Sequence, residues 1–132
     1  MTDRQSADGL LGPLEYEVMR ALWEDSPSNV SGVLARVNGT RPTGQRIAYT
    51  TAMTVLSRLH DKGILARRKR GRGYSYEPRF DETALIERLS QQEVERLVDR
   101  FGPVALAQFA AAIEDADPTL LARLRDQADD DD

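Results

Sequence analysis

Cysteine is absent from the 132 residues, and histidine occurs once, at His60. A disulfide framework, a thiolate metal site and a cysteine nucleophile are therefore excluded, and a histidine metal centre or a serine triad lacks its parts. No apolar run approaches the length of a membrane span, and the first dozen residues lack the charged and apolar regions of a signal peptide. The expectation is a cytoplasmic chain with no membrane insertion. No phosphate-cradling glycine loop, nucleophile–base pair or metal-ligand cluster is visible, and Gly71–Arg72–Gly73 is too short for a nucleotide fingerprint. Neither an enzyme nor a metal or cofactor site is expected.

What the chain has in abundance is charge, unevenly spread. The formal net charge is −4. Residues 1–80 hold 13 Lys and Arg against 8 Asp and Glu, a balance of +5, whereas 81–132 hold 5 against 14, a balance of −9. Phosphate attraction is local within a Debye length, so an acidic chain can carry a basic binding face. The charge shift sets a boundary near Pro78–Asp81, and self-repulsion among Asp129–Asp132 predicts a solvated tail.

Periodicity supplies the elements between these limits. Residues 1–11 are polar and read as a flexible arm. Gly12–Pro13 opens a first helix, since proline suits the first helical position. Leu14, Val18, Ala21 and Leu22 share one face of it, Trp23 lies beside that face, and Ser26–Pro27 ends it. Val30 stands alone as a one-bond strand. Ser31 is the expected N-cap of a short helix with Val33, Leu34 and Val37, stopped by Asn38–Gly39. Thr40–Arg46 reads as a loop. A third helix, about Ala48–Lys62, places Ala48, Ala52, Val55, Leu56 and Leu59 on one face. After Gly63 the period becomes two, and Ile64–Arg70 with Tyr74–Glu77 flank Gly71–Arg72–Gly73 as a β-hairpin. Asp81 caps a longer helix, about Glu82–Phe101. Gly102–Pro103 breaks it, and Val104–Ile113 is apolar on nearly every side. Asp117–Pro118 starts a last helix with Leu120, Leu121 and Leu124.

Three helices and a basic hairpin within about 80 residues is the order of a winged helix-turn-helix. Opposite the apolar face of the third helix lie Thr50, Thr51, Thr54 and Arg58, with Arg46 just before the helix. Short hydroxyl residues allow close approach to base edges, and a threonine methyl packs on a thymine methyl. Alone, such a face is equally a solvated one. The hairpin shifts the balance, because Arg67, Arg68, Lys69, Arg70 and Arg72 lie within six positions and no acid intervenes before Glu77. Tyr76 reads as structural, and Tyr74 as either a brace or a hydroxyl donor to phosphate. Phosphate contacts give affinity and base contacts give sequence, so the hairpin is assigned the first and the helix the second.

The segments GPLEYEVMRALW (12–23), AYTTAMTVLSRL (48–59), KGIL (62–65) and GRGYSYEP (71–78) closely resemble the penicillinase-repressor family of transcriptional regulators. The resemblance covers about residues 12–78; beyond them it is loose, in layout and in VALAQF (104–109). It implies homodimers that bind inverted-repeat operators in double-stranded DNA and repress until a signal arrives. By position, Thr50, Thr51, Thr54 and Arg58 match the family's DNA-reading segment, and Arg68–Tyr74 matches its wing. Copper-responsive relatives sense through C-terminal cysteine pairs, a route closed to this chain. Relatives controlled by a membrane sensor protease are cut at an Asn–Phe bond in the C-terminal helices. The corresponding bond here is Gln108–Phe109, with Gln in place of Asn.

The expected architecture is thus mainly α with a small β-wing: an arm (1–11), a winged-helix DNA-binding domain (12–79), a helical dimerisation region (80–126) and an acidic tail (127–132). Dimerisation is assigned to Leu97, Val98, Phe101, Val104, Leu106, Phe109, Ile113, Leu121 and Leu124, because the segment has too little polar surface to face solvent alone. A monomeric helical cap is the competing reading. Two functional rivals also stand: a winged-helix protein-interaction module, since fold does not fix function, and a repressor controlled by a small-molecule ligand.

Overall fold

A computed structural model describes residues 9–116 together with 119, 122, 123 and 126. The elements in chain order are α1 (Pro13–Glu24), β1 (Ser28–Asn29), α2 (Val30–Gly39), α3 (Tyr49–Asp61), β2 (Leu65–Arg70), β3 (Gly73–Pro78), α4 (Glu82–Phe101) and α5 (Pro103–Ala116). The fold class is the expected one, a helical winged-helix unit followed by further helices. The predicted last helix, with Leu120, Leu121 and Leu124, lies outside the described residues, as do residues 1–8 and 127–132.

Contacts divide the chain into two compact units, one ending at Ser90 and one beginning at Gln91. The first extends past the charge boundary because the opening turns of α4 pack onto its core through Leu85, Ile86 and Leu89. That core draws Val18, Met19, Ala21 and Leu22 from α1, Val30, Val33 and Val37 from α2, and Ala52, Val55, Leu56 and Leu59 from α3. Ile64, Leu65 and Tyr76 bring in the base of the hairpin, and Leu11, at the end of the predicted arm, is also buried. No polar or charged residue is buried among those described.

Local chemistry explains the element ends. The α3 terminus is a Schellman motif: Gly63 N–H donates to His60 O at 2.9 Å and Ile64 N–H to Leu59 O at 3.0 Å. This needs a residue in left-handed backbone, and Gly63 has φ 79°. Asp81 caps α4 as expected, its Oδ1 accepting the Ala84 N–H at 2.8 Å.

Some boundaries differ from the periodic reading. The one-bond strand at Val30 is instead Ser28–Asn29, paired antiparallel with β3. Val30 opens α2 and points into the core, and the N-cap is Asn29 rather than Ser31, with Asn29 Oδ1 accepting the Gly32 N–H at 2.8 Å. Ala48 is not on the buried face of α3; it is the exposed N-cap residue. The hairpin turn is two residues, Gly71–Arg72, and Gly73 joins β3. Gly71 has φ 59° at the first turn position, where the tight hairpin connection favours glycine.

The turn between α2 and α3 is held by side chains. Asn38 brackets Ile47: its Nδ2 donates to Ile47 O at 3.0 Å and its Oδ1 accepts from Ile47 N–H at 2.8 Å. Arg41 donates through Nε to Glu17 Oε1 at 3.0 Å and through Nη2 to Glu17 Oε2, while its Nη1 reaches Gln45 O at 2.9 Å. The hydrogen bond to Glu17 raises the Arg41 pKa beyond its already high value. Loop and α1 are thereby tied together.

Replacing Asn38 with Ala removes both bonds and leaves the Ile47 amide groups without their partner in a half-buried turn. Chemical denaturation should show a loss of about 2 kcal/mol, at the usual 1 kcal/mol or so per hydrogen bond. An unchanged midpoint would show that water replaces the side chain at no cost.

Candidate nucleic-acid interface

Pairing within the hairpin decides where its cations point. Directly opposed residues share a face, and β2 pairs with β3 as Arg67↔Tyr76, Arg68↔Ser75, Lys69↔Tyr74 and Arg70↔Gly73. Arg68 and Arg70 therefore lie on one side of the sheet with Ser75, and Arg67 and Lys69 on the other with the two tyrosines. All five hairpin cations, including Arg72 at the turn, are exposed. None is ion-paired with an acid among the described residues. The wing is a ribbon charged on both faces rather than a single basic patch.

The two tyrosines of β3 have different roles. Tyr76 is 2% exposed and belongs to the core. Tyr74, with its ring centroid 6.3 Å from that of Tyr76, carries the Arg67 guanidinium 4.1 Å above its own ring. This stacking orients an otherwise free arginine by a cation–π contact of about 0.5–1 kcal/mol.

On α3 the exposed side holds Tyr49, Thr50, Met53, Thr54 and Arg58, while Thr51 is half-buried, nearer the core face. Thr54 Oγ1 donates to Thr50 O at 2.9 Å. Arg46 is exposed in the coil just before the helix. Lys62 Nζ reaches Glu15 Oε2 at 2.8 Å, linking the end of α3 to the start of α1. A groove of about 170 Å³ between Tyr49, Ser31, Arg70 and Tyr74 brings the helix starts beside the wing. A second groove, of about 350 Å³, is lined by Pro27, Arg67, Arg68, Arg70, Ser75 and Glu77.

In the second unit, α5 is largely apolar yet has no buried residue. Phe101 is 56% exposed, Val104 66% and Phe109 60%; Leu97 and Leu106 are also exposed, and Val98 and Ile113 are half-buried. Gln108 and Phe109 lie together on the exposed surface of α5. Leu121 and Leu124 fall outside the described residues. No described helix is long and apolar enough to cross a membrane, and no described group of acids and histidine could hold a metal ion.

A helix with a polar, cation-bearing side beside a doubly charged ribbon has the form of a winged-helix regulator. The sequence profile of the penicillinase repressor family matches residues 11–130. The chain belongs to the penicillinase repressor family. Its members are transcriptional regulators, not enzymes. A relative named penicillinase repressor, from Bacillus licheniformis, is 36% identical over 73 residues, covering 55% of this chain. That match spans 54% of the relative, about half its length.

Three residues escaped the periodic reading. Tyr49 and Met53 lie on the exposed side of α3 although their apolar character suggested nothing about the interface. Val94 adds to the apolar surface of α4 one turn before Leu97 and Val98. Spacing alone did not find them: Tyr49 stands three and seven positions before the buried Ala52 and Leu56, the spacing of one helix face, and yet it is exposed in the first turn of α3.

The tyrosine pair yields a direct contrast. Tyr76→Ala should cost about 3–5 kcal/mol, as for other large aromatic truncations in a core. Tyr74→Ala should cost no more than about 1 kcal/mol. Urea unfolding of both variants checks this, and equal losses would place Tyr74 in the core as well.

Proposed function

We propose that this chain represses transcription by binding operator DNA as a homodimer. In this reading α3 lies in the major groove with Thr50, Thr51, Thr54 and Arg58 toward base edges, and the wing holds phosphates on either side. The observation that carries it is the set of five exposed wing cations without acidic partners among the described residues. Such a one-signed surface is self-repelling unless an anionic partner covers it. A protein-interaction module held by apolar contact has no use for that concentration of charge. Duplex DNA is the partner whose charge density and groove width fit a single helix flanked by a basic ribbon.

The second unit supports the homodimer. Leu97, Phe101, Val104, Leu106 and Phe109 are exposed within about a dozen positions, and a copy of the same surface is the simplest cover for them. A two-fold dimer presents two reading helices, which calls for an inverted-repeat operator. Release then needs a signal that breaks the dimer. Cleavage at Gln108–Phe109 would sever α5 within this apolar surface, which makes that bond the candidate for proteolytic release by a membrane sensor protease.

The DNA reading is tested with full-length protein and two duplexes, one random and one recovered from a randomised pool by repeated selection on the protein. Arg68→Ala together with Arg70→Ala should weaken both duplexes alike and flatten the salt dependence by about one to two units. Loss confined to the selected duplex would mean that the wing reads bases. Binding insensitive to salt from the start would favour a protein-docking module.

Leu106→Asp tests the dimer separately. Leu106 is exposed in the single chain, so the variant should fold normally, but in an interface the carboxylate would be buried without a partner. Sedimentation should find monomers at micromolar concentration. An undisturbed dimer would move the interface elsewhere.

A further inference from the structure

We infer that Met53 is a specificity-determining residue that reads thymine through its 5-methyl group, a step that rests on the DNA-binding reading of α3. Exposed apolar residues are ordinary on protein surfaces taken singly. Met53 is distinguished by its place. It is 42% exposed in the middle of α3, beside Thr54 and one turn from Tyr49 and Thr50, and contributes nothing to the buried set of Ala52, Val55, Leu56 and Leu59.

The neighbouring hydroxyl sharpens the argument. Thr54 Oγ1 donates its proton to Thr50 O at 2.9 Å, so toward a ligand it offers lone pairs and a methyl group, but no proton. Met53 has no donor at all and brings a flexible, polarisable thioether. Met53 and Thr54 together therefore present methyl groups and an acceptor. In the major groove a guanine–cytosine pair shows two guanine acceptors, which these two side chains leave unsatisfied, and a cytosine amino donor, but no methyl group. Thymine shows a methyl group, and its partner adenine shows an N6 amino donor. A thymine–adenine pair thus matches both features at once, the methyl against Met53 and the amino group against Thr54. Met53 is long enough to reach a base edge that the shorter threonines approach only when the helix is fully seated.

The test replaces each thymine of the selected duplex in turn with deoxyuridine, which removes only the methyl group. Wild-type protein should lose about threefold to tenfold in affinity at one thymine of each half, as expected for one buried methyl contact. Met53→Ala should abolish that sensitivity at the same position, and Met53→Leu should retain most of it. Random-duplex affinity and thermal midpoints should be the same for all three proteins. A uracil effect of undiminished size in Met53→Ala would overturn the assignment, since another side chain would then be reading the methyl. A selected duplex insensitive to uracil everywhere would also overturn it, while leaving the DNA reading of the wing and helix standing. Failure of the selection to yield any preferred duplex would remove both.

Discussion

A single amide group sets the course of α3. Asn38, the penultimate residue of α2, also holds the N–H and the C=O of Ile47, two residues before α3 begins. Where the backbone leaves one helix and enters the next is fixed between those two bonds. The Arg41–Glu17 pair then ties the same loop to α1. Everything exposed on α3 takes its direction from this bracket, because the opposite face is committed to Val55, Leu56 and Leu59 in the core. A helix presented to a ligand by rigid neighbours loses little freedom on binding, which matters more for affinity than the number of contacts.

The wing depends on a different anchor. Tyr76 and Leu65 are both buried, one from each strand, and lie on the same face. Their burial sets the register, because a slip of one residue would turn both toward solvent. Just beyond the same end of β3, Trp23 Nε1 donates to Phe80 O at 2.9 Å, and the Arg79 and Arg88 guanidinium groups lie 5.7 and 5.1 Å from the Phe80 ring. The hairpin is thus held at its base, and its charged end projects from a fixed platform.

Much of this was legible in the amino-acid sequence where one residue type has one strong preference. Pro13 opened α1, Asp81 capped α4, and Gly63 marked the end of α3, since each satisfies or spares a terminal backbone group in a way few others do. The glycine-flanked run of cations identified the hairpin. Legibility failed where two residues could serve the same role. Asn29 and Ser31 are both good caps, and the choice went to Asn29 because Val30 had to enter the core. Met19 and Met53 are the same residue type on similar amphipathic helices, and only tertiary packing shows that one is buried and the other exposed. The partition of the wing cations between faces was implicit in the alternation, but the pairing with β3 was needed to say which of them lie beside the tyrosines.

That partition has a consequence for what the wing tolerates. Because side chains alternate along a strand, Arg68 and Arg70 address one half of space and Arg67 and Lys69 the other, with Tyr74 steadying the second set. The identity of a cation is then negotiable, since Lys and Arg both carry the charge, whereas the parity of its position is not. One residue gained or lost between Leu65 and Arg70 would leave the charge count almost untouched and exchange the two halves. The wing is accordingly a structure whose meaning lies in odd and even, and drift in its sequence is expected to preserve that parity before it preserves any single arginine.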